Sequence, residues 1–420
     1  MRILVVGSGG REHALAWEIS QSPLVTALYA APGNPGIARV ATLVPVKADD
    51  VEGLVAFARQ ERLDLVVVGP EAPLVAGLVD RLGAAGILAF GPTAAAAEIE
   101  GSKAFAKDVM VAAGIPTAGF ATFTEVEPAL AWARQRDYQV VVKADGLAAG
   151  KGVVVCSERL EVEGALQEIL VARIHGQAGA TVLLEEKLSG PEASCICLTD
   201  GKRVRMLPPA QDHKRIFDGD RGPNTGGMGA FCPTPKVTPD QLAEIQRTVL
   251  VPAVREMARR GRTFRGALYA GLMLTRSGPK VLEFNARLGD PETQPILMRV
   301  TGDLVPLLVG SARGDLGELP LELDHRAAVG VVLAGEGYPG KVTTGDVIRG
   351  ADAAFAPDIQ VFHAATTLDA AGRLVAAGGR VLTVCALGAG LDDAARRAYG
   401  AVAQIDFRGM QFRKDIGATP

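Results

Sequence analysis

The chain has 420 residues, 48% hydrophobic and 22% charged, so it is long enough for more than one core and ordinary in composition for a globular protein. A formal net charge of -3 excludes a general nucleic-acid binder and leaves only local basic pockets. No apolar run approaches the roughly 18 residues of a membrane span, and the start, Met1-Arg-Ile-Leu-Val-Val, is too short before its glycines for a signal peptide; no membrane partner and a cytoplasmic location are therefore expected.

Ile3 to Val6 reads as a buried strand, followed by Gly7-Ser-Gly-Gly-Arg11 and a helical pattern from Glu12 to Ser20. Strand, glycine turn and helix form the setting of a phosphate-binding loop. The dinucleotide fingerprint is incomplete, because Glu12 stands where a third glycine belongs. The next strand, near Leu28 and Tyr29, runs into Ala30-Ala-Pro-Gly-Asn34 without the acid that a nicotinamide cofactor's ribose needs, which excludes NAD-dependent reduction. Leu65 to Val68 is another buried strand, with Glu71 in the loop at its carboxyl end, where ligands bind in open α/β sheets. Glu71 is thus a substrate contact or a plain turn carboxylate. Strand Ile87 to Gly91 continues the βα alternation and predicts a parallel sheet.

Ser102 caps a predicted helix from Lys103 to Ala113, ended by Gly114 and Pro116. The stretch Val140 to Val155 holds Lys143, Gly146, Gly150, Lys151 and Gly152 between two apolar runs. A Walker loop needs one more residue, a hydroxyl after the lysine and a following helix. This is instead a glycine hairpin laid over phosphates, with Lys143 and Lys151 as point charges and any metal held elsewhere. Val182 to Leu188 is a strand that includes Glu185 and Glu186; Ser189-Gly-Pro-Glu192 follows, then a strand at Cys195 to Leu198. The five cysteines are scattered and complete no zinc site, so buried reduced thiols are expected. Asp212-His-Lys-Arg215 alone reads as a solvated turn, and Gly222 to Gly229 as a flexible glycine loop. His213 reads as a hydrogen-bonding or surface residue, since no histidines have metal spacing. No G-x-S-x-G elbow supports acyl-enzyme chemistry.

Val281 to Gln294 concentrates the most chemistry. Leu282, Phe284 and Ala286 alternate with Glu283, Asn285 and Arg287, the period of a half-buried strand, which sends a carboxylate, an amide oxygen and a guanidinium to one face. The first two are hard oxygen ligands suited to Mg2+, and the third fits a carboxylate or phosphate. After a turn at Gly289, Asp290-Pro291 is a helix-start signal. Beyond it, strands at Ala328 to Leu333 and Val381 to Ala386 and a helix from Asp392 to Ile405 form a last segment without a catalytic cluster, given the role of shaping the cleft.

The hairpin from Lys143 to Val155, the Glu185 to Leu188 stretch and the Glu283-Phe-Asn285 strand resemble the ATP-grasp superfamily. Arg287-Leu-Gly-Asp-Pro-Glu-Thr-Gln294, Asp212 to Arg215, Gly222 to Gly229 and Gly7 to His13 are similar, within it, to the glycinamide ribonucleotide synthetase family, over essentially the whole chain. The resemblance implies an α/β and α+β multidomain protein. Its units are a Rossmann-like parallel sheet at 1–101, a two-lobed ATP-grasp fold at 102–325 with a small β lobe at about 115–190, and a small α/β domain at 326–420. It implies ATP-dependent ligation of glycine to 5-phosphoribosylamine through a glycyl phosphate, in purine synthesis, by a monomer or weak dimer. ATP is then expected on Lys103, Lys143, Gly150, Lys151, Gly152, Glu185, Glu186, Leu188 and Glu192, and Mg2+ or Mn2+ on Glu283 and Asn285. The preceding strand, Tyr269 to Leu274, lacks the acid that many relatives carry. Gly9, Gly10, Arg11, Glu71, Asn224 and Gly226 are expected at the substrates, and Arg287, Asp212, Asp290 and Lys214 at the reacting groups. The alternative is another ATP-grasp carboxylate–amine ligase or a carboxylase.

Overall fold

The computed structural model describes residues 1–146, 152–174 and 176–418. The N-terminal sheet is parallel, in the order β3-β2-β1-β4-β5, with β1 (Arg2–Gly7), β2 (Ala27–Pro32), β3 (Thr42–Leu43), β4 (Leu65–Val68) and β5 (Ala89–Phe90). The buried runs Ile3 to Val6 and Leu65 to Val68 are apolar on both faces because both faces are covered. Leu4, Val6, Val66 and Val68 share one core with Phe264, Leu268 and Ala270, while Ile3, Val5, Leu65 and Val67 share another with Leu15, Ile196 and Leu297. The first unit is therefore fused to the middle of the chain through both sides of its sheet. The expected helix after the glycine turn begins slightly earlier, at Gly10, and runs to Ser20.

The small lobe is an antiparallel sheet in the order β6-β9-β7-β8, from β6 (Phe120–Phe123), β7 (Val140–Ala144), β8 (Val153–Cys156) and β9 (Val182–Glu186). Val140, Val142, Val182 and Leu184 pack there against Ala129, Val162 and Leu166 in a core of their own. The turn expected over phosphates, with Gly150 and Lys151, lies outside the described residues.

The next strands are β10 (Glu192–Thr199), β11 (Val204–Met206), β12 (Gln211–Asp212), β13 (Arg215–Phe217), β14 (Arg221–Asn224), β15 (Gly229–Cys232), β16 (Gly266–Thr275) and β17 (Gly278–Asn285). They divide between sheets. The order β11-β10-β16-β17 makes the floor of the large lobe, β13 and β14 form a hairpin, and β12 and β15 join the C-terminal sheet. That sheet runs β12-β15-β18-β22-β19, with β18 (Ala327–Ala334), β19 (Ile359–His363) and β22 (Arg380–Gly388); β20 (Thr366–Leu368) and β21 (Leu374–Ala376) form a separate hairpin. The last segment is thus stitched to residues on either side of the glycine loop at Gly222 to Gly229. It also docks on the first helix, where Phe362, 1% exposed, meets the rings of His13 and Trp17 edge-on at centroid distances of 5.5 and 5.8 Å. No helix among the described residues is long and apolar enough to cross a membrane.

Phe362→Ala is expected to lower unfolding free energy by about 3–5 kcal/mol, the usual cost of emptying a buried aromatic site. Denaturant titration followed by circular dichroism measures it, and a change under about 1 kcal/mol would mean that this contact is not a principal seam between the first and last segments.

Candidate active site

The pairing of β16 with β17 sets the floor of the cleft. Gly271 lies opposite Glu283 and Tyr269 opposite Asn285, but Leu272 lies opposite Val281, so Leu282 is an extra residue in a bulge. The expected alternation therefore holds only from Glu283 onward. Phe284, Ala286 and Leu288 are buried, and Glu283, Asn285 and Arg287 are half-buried on the other face. Val281, not Leu282, fills the core, and the Leu282 carbonyl accepts a hydrogen bond from Lys143 Nζ at 3.0 Å. The bulge thus connects the floor of the large lobe to the small lobe.

Above that floor lies a buried lysine–glutamate cluster. Glu185, on β9, is 2.8 Å from Lys143 Nζ and 3.2 Å from Lys107 Nζ, and all three residues are almost fully buried. Lys107 also donates to Thr117 Oγ1 at 2.6 Å. Desolvation drives the Lys107 pKa down to about 8, against the pull of Glu185. Lys103 lies one helical turn from Lys107 on the helix Lys103–Ala112, capped by Ser102 as expected and by Asp145, which accepts from Ala104 N at 3.1 Å. Lys103 Nζ donates to the Gly146 carbonyl at 2.9 Å, and burial lowers its pKa. Burial pushes the Glu283 carboxyl up, but Lys214, Lys143, Lys103 and Arg287 outweigh it and hold that carboxyl below its ordinary value. Glu283 and Asn285 have no side-chain hydrogen-bond partner among the described residues, so a carboxylate and an amide oxygen sit side by side, surrounded by cations and available to a ligand. This donor set fits a hard divalent ion that keeps waters or phosphate oxygens as its other ligands. No cluster of three or more histidine, cysteine, aspartate or glutamate residues suited to a metal occurs among the described residues, so the protein alone does not complete a coordination shell.

The other half of the cleft is built around Arg287 and Asp290. Arg287 lies 3.1 Å from Glu100 and 3.4 Å from Glu71 and donates to the Leu288 carbonyl at 3.3 Å. Glu100 also accepts from Ala286 N at 2.6 Å, and burial raises its pKa against the pull of Arg287. Burial also acts to raise Glu71, yet Arg287 and Arg11 bring it below its ordinary value. Arg11 donates to Glu12 at 2.6 Å and to the Leu288 carbonyl at 3.1 Å. Glu12 accepts in addition from Gly9 N at 2.6 Å and packs on Gly7 and Gly69, so its carboxylate already fills part of the glycine turn; Gly10 packs on the Gln294 amide. Asp212 is pushed well up by burial and by nearby Glu292, and its Oδ1 is buried without a partner. Glu292 accepts from Ser194 Oγ at 2.8 Å, which lies 2.9 Å from Tyr269 OH. Lys214 pairs with Glu192 at 2.9 Å; burial opposes its charge, but Glu192 and Glu283 keep its pKa raised.

The structure differs from several expectations. Asp290-Pro291 does not start a helix: the helical turn is Thr293–Leu297, because Asp290 is drawn into tertiary bonds with Arg380 at 3.1 Å and Gln294 at 2.9 Å. Asp212 and Lys214 do not belong to a solvated turn, and His213 is a buried residue whose Nδ1 lacks a partner. Glu185 faces the lysines, whereas Glu186 is exposed and accepts from Gly119 N at 3.2 Å, and Leu188 is half-buried beside it. Gly152 is buried and its carbonyl accepts from Ala144 N at 2.8 Å. Asn224 ends β14 and Gly226 touches Arg380. Sequence reasoning missed Lys107, Glu100, Glu292 and Arg380. Of these, Lys107 had a readable signal, its spacing of four from Lys103 on a capped helix.

The comparisons with known proteins cover almost the whole chain. Residues 1–100, 101–293 and 328–419 match the families described as the N domain, the ATP-grasp (A) domain and the C domain of phosphoribosylglycinamide synthetase. The phosphoribosylamine–glycine ligase of Xanthomonas axonopodis pv. citri is 52% identical over 420 residues, spanning 99% of this chain and 97% of that protein. The crystal structure of phosphoribosylamine–glycine ligase from Thermotoga maritima superposes with a TM-score of 0.87 at 32% identity, covering 99% of this chain and 100% of that one. The biotin carboxylase domain of Hydrogenobacter thermophilus 2-oxoglutarate carboxylase, solved with MgADP and bicarbonate, gives a TM-score of 0.76 at 18% identity over 98% of this chain and 91% of that one, a likeness of fold alone.

Glu185→Ala is expected to cost about 3–5 kcal/mol, because it leaves two buried ammonium groups without their carboxylate. Lys107 sets a pH signature. Its folded-state pKa, about 8, lies below the ordinary 10.5, so between those values the unfolded chain holds the extra proton. Relative to Lys107→Met, the wild-type protein should therefore gain stability as pH rises through that window. A flat difference would rule out the lowered pKa of Lys107.

Proposed function

This chain belongs to the phosphoribosylglycinamide synthetase family, and from that premise we propose how its cleft works. The protein is an ATP-dependent ligase that joins glycine to 5-phosphoribosylamine, giving glycinamide ribonucleotide, ADP and phosphate in purine biosynthesis. ATP and a divalent metal serve the reaction, and its substrates are small molecules. The observation that carries the mechanism is the unpartnered Glu283 and Asn285 pair facing Lys103, Lys143 and Lys214.

We assign ATP to the space between the small lobe and β17, with the adenine along Glu185 to Leu188 and the phosphates toward Lys103 and Lys143, with Gly150, Lys151 and Gly152 as their further contacts. Lys214 releases Glu192 to the ribose and turns to the transferred phosphoryl group. Glu283 and Asn285 would hold Mg2+ or Mn2+, two ions with the same taste for oxygen, and the bound ion would neutralise phosphate charge. A carboxylate is a poor electrophile, so ATP first converts glycine to glycyl phosphate. The ribosylamine nitrogen then forms a bond to the glycyl carbon, the carbon–oxygen bond to phosphate breaks, and Asp212 accepts the amine proton. The buried Asp212 Oδ1, without a hydrogen-bond partner, supports that last role. Arg287, pinned by Glu100, trades its looser Glu71 contact for the incoming anion, while Asp290, Gly9, Gly10, Arg11, Asn224 and Gly226 border the phosphoribosyl group. Three units at 1–101, 102–325 and 326–420, a monomer or weak dimer and a cytoplasmic setting complete the reading. Five buried cysteines, with no disulfide among the described residues, support the reducing setting.

Glycine labelled with 18O in its carboxylate should pass one labelled oxygen to the released phosphate, read by mass spectrometry. Unlabelled phosphate would exclude the acyl phosphate, and phosphate release that needs bicarbonate in place of glycine would favour a carboxylase. Glu283→Ala should lose at least about 100-fold in kcat with an unchanged circular dichroism spectrum. Near-normal turnover at ordinary magnesium would remove the metal role.

A further inference from the structure

The glycine loop at Gly222 to Gly229 is held from outside by the last segment of the chain. Arg380, the first residue of β22, donates from Nη1 to the Gly226 carbonyl at 2.6 Å and to the Asp290 carbonyl at 2.9 Å, and from Nη2 to Asp290 Oδ2 at 3.1 Å. On the other side of the same residue, Gly226 N donates to Tyr338 OH at 2.9 Å. Both polar groups of one loop residue are thus taken by side chains more than a hundred residues away. The guanidinium lies flat on Gly226, where a Cβ would stand 3.1 Å from Cζ. Gly227, at φ +111°, packs so closely on the other side that a Cβ would overlap Pro291 and lie 2.7 Å from Asp212 Oδ1. The loop is therefore fitted between Arg380 on one side and the Asp212 carboxylate and Pro291 ring on the other, and Asp290, which Arg380 also holds, takes the Gln294 amide at 2.9 Å, itself packed on Gly10.

We propose that Arg380 and Tyr338 form a two-point clamp on Gly226, which sets the glycine loop and Asp290 in register over the glycine and phosphoribosylamine sites; both are positioning residues for the ligation. The inference rests on the reading of the cleft given above. Its physical basis is the planar guanidinium, which reaches Gly226 and Asp290 together, as an ammonium does not. Among the described residues, Arg380 and Tyr338 make no hydrogen bond to Lys103, Lys107 or Lys143, which belong to the helix Lys103–Ala112 and the small lobe. Loss of the clamp should consequently separate the substrates kinetically.

The test uses the full-length enzyme and measures KM for ATP, glycine and phosphoribosylamine together with kcat. Arg380→Ala should lower kcat/KM for glycine and phosphoribosylamine on the order of 10–100-fold, with KM for ATP changed by less than about twofold. Arg380→Lys should fall between that variant and wild type, Tyr338→Phe should lose roughly three- to tenfold, and added guanidinium ion should restore part of the Arg380→Ala loss. Losses equal for all three substrates, or wild-type kinetics in both Arg380→Lys and Tyr338→Phe, would overturn the clamp. Should Arg380→Ala fail to fold, those two milder variants decide the matter. Wild-type enzyme that fails to ligate glycine would instead overturn the functional reading itself.

Discussion

Charge burial governs this cleft. Lys103, Lys107, Lys143 and Lys214 converge on one cleft, where Lys107 and Lys143 are almost fully buried and Lys103 and Lys214 half-buried. Four ammonium groups packed without counter-ions would cost more than a domain's whole stability. The structure meets that cost asymmetrically. Glu185 neutralises Lys107 and Lys143 with direct ion pairs, and Glu192 neutralises Lys214, while Glu283 attracts all but Lys107 from a distance and keeps its oxygens free. The close pairs hold the lysines in place, and the looser one leaves the Glu283 carboxylate without a hydrogen-bond partner among the described residues. The same logic applies around Arg287. Glu100 is buried and fixed, with a second bond from Ala286 N, whereas Glu71 is more exposed and farther away. One partner is structural and the other is replaceable.

What was legible in the sequence follows from the range of the forces involved. The parallel N-terminal sheet, the capped helix after Ser102 and the polar face of Glu283, Asn285 and Arg287 were readable because periodicity and capping act over a few residues. The Leu282 bulge was not, since it is fixed by the partner strand, where Gly271 and Leu272 set the register. Asp290-Pro291 carried a true local helix signal that lost to Arg380, ninety residues away, and to Gln294. A carboxylate can cap a helix or bind a buried guanidinium, and the charged bond is the stronger. Glu100 and Glu292 escaped for a related reason: an acid near a helix end looks like surface until tertiary contacts enclose it.

The division of strands between sheets has a consequence for the last segment. Residues 211–212 and 229–232 are edge and second strands of the C-terminal sheet, so the loop they enclose is anchored at both ends in that unit although its side chains serve the cleft. Asp212 itself sits in one of those strands, opposite Ala230. A segment that looked like a cover without chemistry of its own therefore forms the frame for an acid of the site. The small lobe stands in contrast, with a separate core and, among the described residues, polar bridges to the floor through Lys143 and Thr117 and to the helix Lys103–Ala112 through Glu185 and Asp145.

Glu12 shows how the same turn can be turned away from a dinucleotide. A third glycine there would leave the backbone N–H groups open to a pyrophosphate. Glu12 instead accepts from Gly9 N and holds Arg11 at 2.6 Å, so a carboxylate of the chain occupies one anion position and presents a guanidinium in its place. Backbone donors bind any phosphate that fits the loop, but an arginine placed on a buried acid has its direction fixed by that acid and by the Leu288 carbonyl. The exchange puts a guanidinium of fixed direction at the turn and ties that direction to the strand end that also carries Arg287. The glycine turn and Arg287 are in this way joined through the Leu288 carbonyl, which accepts from both Arg11 and Arg287.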